Sequence, residues 1–150
     1  MRIGQEIERR RTLGARGHHQ GPGLGDAEVR AADADACREE DILCVLGALT
    51  PTEIYQARLH GAALVKVFPV TPVGGPRYIE ALNGPLGGVP FWVSGGVPID
   101  DIGAYLRLGV KVVGLTGALF APEALARKDM NAIRAGAERA AQAAAAALPG

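Results

Sequence analysis

Three groups of residues in this sequence could do chemistry together, and the first is an amine in an unusual place. Sixteen residues are basic, but only Lys66, Lys111 and Lys128 are lysines, and Lys66 stands inside the apolar run Leu64-Val65-Lys66-Val67-Phe68. An ammonium is costly to bury, and apolar surroundings favour the neutral amine, the form that attacks a ketone to make an imine. The resulting iminium is an electron sink for the pair released when a neighbouring carbon–carbon bond breaks. The plainer alternative is a lysine that reaches solvent from a strand end or pairs with an acid.

The second group is Ser94-Gly95-Gly96-Val97, which follows Phe91-Trp92-Val93 and reads as a strand ending in two glycines, with a helix a few residues later. Glycines let backbone N–H groups approach an anion, and a helix N-terminus adds its positive dipole end. The third is Gly114-Leu115-Thr116-Gly117-Ala118, where the next strand closes on another glycine and a hydroxyl. Glycine pairs also serve ordinary tight turns, so each turn alone says little. Glu53 is an acid one could nominate as a base. At the third position of Thr50-Pro51-Thr52-Glu53 it is expected instead to close a helix terminus. His18 and His19 have no third ligand and read as surface residues, as do Arg77 and Tyr78 on their helix. Cys37 and Cys44 have neither a redox nor a metal-ligand spacing and read as reduced and structural.

Four short apolar runs must carry these groups: residues 42–46, 63–68, 89–93 and 110–115 read as buried strands. Helices are expected between them. The first opens at the Thr50 capping box and closes at Gly61, the second spans about 75–83, and the third about 98–108, with Ile99, Ile102 and Leu106 on one face and Gly109 as its stop. A short helix near Pro122 and an Ala-rich helix over about 129–148 follow. Strands alternating with helices predict an α/β fold with a parallel sheet, either a small open domain or part of a barrel. In barrels, the loops after the last two strands are a frequent phosphate site.

Composition limits the rest. The chain has 150 residues, 48% hydrophobic and 21% charged, enough for one globular domain with a core. Sixteen acidic residues balance the sixteen basic ones, so no whole-chain field draws it to nucleic acid or to a membrane surface. No apolar stretch approaches the roughly 20 residues that span a bilayer, and no signal-peptide core is visible, so a cytoplasmic address is expected by default. Residues 1–41 carry half of all the charges and read as a separate, largely solvated segment with weak helical potential over 27–40.

Taken in order, the motifs resemble the 2-keto-3-deoxy-6-phosphogluconate aldolase family, which also includes 4-hydroxy-2-oxoglutarate aldolases. Gly47-Ala48-Leu49-Thr50-Pro51-Thr52-Glu53 is similar to the family's segment after the fifth barrel strand, and Val65-Lys66-Val67-Phe68-Pro69 to its lysine strand. Gly74-Gly75-Pro76-Arg77-Tyr78 follows at the expected distance. Ser94-Gly95-Gly96-Val97 resembles the family's Thr-Gly-Gly-Ile phosphate turn, and Gly114-Leu115-Thr116-Gly117-Ala118-Leu119 its final-strand turn with the hydroxyl one position early. The resemblance runs from about Ile42 to the end. It implies a partial (β/α)8 TIM barrel of about four C-terminal β/α units, preceded by a poorly structured or helical segment.

By that resemblance Lys66 is the Schiff-base lysine, Phe68 a wall of the pocket and Ser94 a ligand of the keto-acid end. Gly95, Gly96, Thr116 and Gly117 form the phosphate cradle. The implied substrates are a keto acid or a sugar-acid phosphate, cleaved to pyruvate and an aldehyde. Neither metal nor cofactor is implied, and a homotrimer is the family's common state. The family's general-base glutamate and a substrate-binding arginine belong to a strand near the N-terminus, and nothing before Ile42 matches them. Only Pro22-Gly23-Leu24, with residues 26–29 behind it, is faintly similar to the turn after the fourth strand, and Leu46 stands where the family has proline. A shortened relative with poor turnover and an uncovered inner face that drives self-association is therefore expected. The alternatives are a non-catalytic remnant or phosphate-ligand-binding module, or another phosphate-binding barrel enzyme, which leaves Lys66 unexplained.

Overall fold

The computed structural model describes residues 34–147. The expectations for His18, His19, Pro22-Gly23-Leu24 and the arginine-rich start lie outside the described residues. Residues 34–39 are helical, within the stretch for which weak helical potential is expected. After them come β1 (Val45–Ala48), α1 (Pro51–Leu59), β2 (Leu64–Val67), a 3-10 turn (Thr71–Val73) and α2 (Pro76–Leu86). Then follow β3 (Phe91–Val93), a second 3-10 turn (Ile99–Asp101), α3 (Ile102–Arg107), β4 (Val112–Val113), α4 (Pro122–Ala126) and α5 (Met130–Ala145). The strands form one sheet in the order β1-β2-β3-β4, every neighbouring pair parallel. This is the α/β architecture that the alternation of runs and helices predicts.

Strand alternation divides the sheet into two unlike faces. Leu46, Ala48, Val65, Val67, Phe91 and Val93 point one way and are buried. They meet Ile54 and Ala57 of α1, Ile79 and Leu82 of α2, and Tyr105 of α3, and this layer is the core. Val45, Gly47, Leu64, Lys66, Trp92 and Val112 point the other way and are half-buried or exposed. No helix among the described residues covers that second face, and none is long and apolar enough to cross a membrane.

The helix starts follow local chemistry. Thr50 caps α1 by accepting from the Glu53 N–H at 3.3 Å, Glu53 returns the bond to the Thr50 N–H at 2.8 Å, and Pro51 fills a first-turn position. Asp129 caps α5 through the Ala132 N–H at 2.9 Å. Strand limits differ more from expectation. The first strand begins at Val45 rather than at 42, and it includes Gly47 and Ala48, which the sequence places in the following loop. Pairing decides this, because the ladder with β2 sets Val45 opposite Leu64 and Ala48 opposite Val67, leaving Ile42 and Leu43 exposed before the sheet. The fourth strand is only two residues long, Val112 opposite Trp92 and Val113 opposite Val93. Cys37 is half-buried and Cys44 buried, and no disulfide joins them.

Candidate active site

In a parallel sheet every strand ends at the same edge, so the loops after β1 to β4 gather there. Lys66 lies one residue from the end of β2 on the uncovered face, level with Gly47 of β1 and Trp92 of β3. It is half-buried, not enclosed. The sequence suggests an amine surrounded by apolar side chains, but those neighbours, Val65 and Val67, alternate to the opposite face. Lys66 Nζ meets two aromatic rings instead, lying 5.6 Å from the Phe68 centroid and 5.3 Å from the Trp92 centroid. Ring faces attract positive charge.

The loop after the lysine strand and the glycine turn are joined directly. A cis peptide links Phe68 to Pro69. The Val70 N–H donates to the Ser94 carbonyl at 2.9 Å and the Thr71 N–H to the Gly95 carbonyl at 3.2 Å. Gly95 has φ +96°, and a Cβ there would lie 2.7 Å from the Pro69 Cα and 3.0 Å from the Phe68 ring. Only glycine admits that approach. Gly95 and Gly96 therefore have a packing role that the sequence alone does not separate from anion binding. Ser94, two residues beyond Trp92, is buried, and its Oγ has no hydrogen-bond partner among the described residues.

Thr116 and Gly117 lie exposed beyond β4. The Thr116 carbonyl accepts from the Leu119 and Phe120 N–H groups as the chain turns towards α4, and no hydrogen bond joins either residue to the Gly95–Gly96 turn among the described residues. The structure thus brings Lys66, Phe68, Ser94, Gly95 and Gly96 together and leaves Thr116 and Gly117 on the neighbouring loop. The helix expected soon after Gly96 opens as a 3-10 turn bearing Asp100 and Asp101, carboxylates that already answer its positive end.

Glu53 and Tyr78 hold the loop after β1. Leu49 gives its N–H to Glu53 at 2.9 Å, and its carbonyl accepts from the Tyr78 hydroxyl. Glu53 is thus engaged at the helix terminus, as its position in the capping box suggests, and Tyr78 is no free surface residue. Burial, then the Glu53 carboxylate, raises the Tyr78 phenol above its usual range. Trp92 is the site residue that sequence reasoning missed, because its nearness to Lys66 depends on a register that no local motif encodes.

Comparison with known proteins decides the lineage. A family model described as KDPG and KHG aldolase matches residues 21–135. This chain belongs to the KDPG and KHG aldolase family. The match also takes in Pro22-Gly23-Leu24. A 2-dehydro-3-deoxy-phosphogluconate aldolase of Pseudomonas aeruginosa is 31% identical over 99 residues, which cover 65% of this chain and 43% of that protein. Its counterpart from Dickeya dadantii is 30% identical over 120 residues, covering 79% and 54% respectively. A solved 4-hydroxy-2-oxoglutarate/2-dehydro-3-deoxyphosphogluconate aldolase superposes with a TM-score of 0.61 at 27% identity, over 82% of this chain and 56% of that one. The chain spans about half the length of the curated relatives it matches.

Proposed function

We propose that the chain carries the lysine-bearing part of a Schiff-base aldolase acting on 2-keto-3-deoxy-6-phosphogluconate or 4-hydroxy-2-oxoglutarate. The observation that carries this is the placement of Lys66 at a strand's C-terminal end beside Ser94 and the Gly95–Gly96 turn, in a member of this aldolase family. Residues 42–150 then form the C-terminal part of a TIM barrel, with residues 1–41 a divergent segment, and the face bearing Lys66 is the barrel's interior.

In this mechanism the Lys66 amine attacks the C2 carbonyl, and loss of water gives the iminium. Breaking the C3–C4 bond sends its electron pair into the iminium, forming an enamine and releasing an aldehyde. Protonation and hydrolysis then yield pyruvate and return the amine. Phe68 walls the pocket, Ser94 holds the keto-acid end, and Gly95, Gly96, Thr116 and Gly117 offer backbone N–H groups to a phosphate. Proton removal from the C4 hydroxyl needs a base. Glu53 is committed to Leu49 and Thr50, so it does not serve as that base. Losing a positioned base removes a factor of about 100 to 10,000, so imine formation outpaces cleavage in the 150-residue chain.

A non-catalytic, phosphate-ligand-binding remnant is the second reading, favoured by the uncovered face, on which Lys66 is half-buried and not enclosed. A coupled pyruvate-release assay on both substrates separates the two. Slow release that Lys66→Met abolishes supports the enzyme, and release indistinguishable from buffer supports the remnant.

A further inference from the structure

Trp92 is the chain's single tryptophan. Its ring and that of Phe68 stand 5.3 Å and 5.6 Å from Lys66 Nζ, both inside the separation of about 6 Å at which an aromatic face attracts a cation. The indole is fixed from behind. Its Nε1 is buried without a hydrogen-bond partner among the described residues and lies against Gly114, where a Cβ would come within 2.9 Å. An unpaired buried donor is unfavourable. The orientation that leaves it unpaired is also the one that sets the ring against the amine, and glycine at 114 makes that orientation possible.

We infer that Trp92, together with Phe68, clamps the iminium formed between Lys66 and a small 2-oxo acid, and so favours its capture. The inference rests on the imine reading given above. In the step concerned, an ammonium and a ketone give an iminium and water, a C=N bond replacing C=O while the positive charge stays on nitrogen. An ammonium turns three N–H groups to water. The iminium keeps one, is planar, and spreads its charge over C=N, so it is more weakly hydrated and better matched to a ring face. The enamine that follows bond cleavage is neutral and loses this attraction. The clamp therefore holds the captured acid more strongly than it promotes cleavage.

The test titrates the 150-residue chain with pyruvate, following both borohydride-trapped adduct by mass and tryptophan emission, which comes from Trp92 alone. Emission is expected to change saturably, with the same midpoint as trapping, and Lys66→Met to lose both responses. Trp92→Leu is expected to raise the half-saturating pyruvate concentration by about 5- to 30-fold, and Trp92→Phe, which keeps a ring, by less than about 5-fold. A folded Trp92→Leu variant that traps pyruvate at the wild-type midpoint overturns the clamp, as does adduct formation with unchanged emission. If Trp92→Leu fails to fold, the Phe variant and the wild-type emission decide. Adduct in the wild type with no effect of Trp92→Leu defeats the clamp alone, whereas no adduct in the wild type defeats the imine reading and the clamp with it.

Discussion

Lys66 owes its setting to period-two alternation: its sequence neighbours Val65 and Val67 are buried against helices, while it faces the uncovered side with Trp92 and Phe68. Gly95 is the residue on which the neighbouring loops depend. Gly95→Ala puts a Cβ against Pro69 at positive φ, and is expected to destabilise the fold by about 1–3 kcal/mol, seen as a lower urea midpoint. Two phenols give a pH dependence. Burial first, and then Glu53 at Tyr78 and Asp101 at Tyr105, raise both above 10.0, with the Thr71 hydroxyl opposing this at Tyr105. The unfolded chain therefore releases these protons at lower pH than the folded one, so their contribution is complete below about pH 10 and lost as pH climbs through the raised values. Urea midpoints are expected to fall as pH rises above about 10, and the fall to be shallower in Tyr78→Phe and Tyr105→Phe; a profile that these variants leave unchanged contradicts the assignment. Of the site itself, Lys66 and the glycine turn were legible as residue types that are anomalous or permissive in their local context. Trp92 and the packing role of Gly95 were not, since both arise from neighbours distant in sequence.

At the scale of elements, helix starts were legible because capping is local. Thr50, Pro51 and Glu53 lie within one turn and make the bonds their types suggest. Thr50→Ala is expected to cost about 1 kcal/mol of stability, read by denaturation. Glu53→Gln is expected to leave pyruvate trapping at Lys66 intact, because Glu53 serves the helix terminus; loss of trapping in a folded variant would make it part of the chemistry. Strand limits were less legible. The run at 42–46 is apolar, yet its first residues stay outside the sheet, because β2 supplies partners only from Leu64 onward. The third helix illustrates the same point, its start drawn into a 3-10 turn at Ile99–Asp101 that apolar spacing does not reveal.

For the whole molecule, the order β1-β2-β3-β4 leaves outer edges on β1 and β4 among the described residues, and one face carries exposed apolar groups such as Val45 and Phe68. Open edges and uncovered apolar faces favour association. The 150-residue chain is therefore expected to sediment as an oligomer, and a stable, monodisperse monomer would count against this account. The chemistry of Lys66 is read by incubating the chain with pyruvate, reducing with borohydride and mapping the peptides by mass. A single reduced adduct on Lys66, with Lys111 and Lys128 unmodified, is the expected result. An unmodified Lys66, or adduct spread evenly over the three lysines, would contradict it.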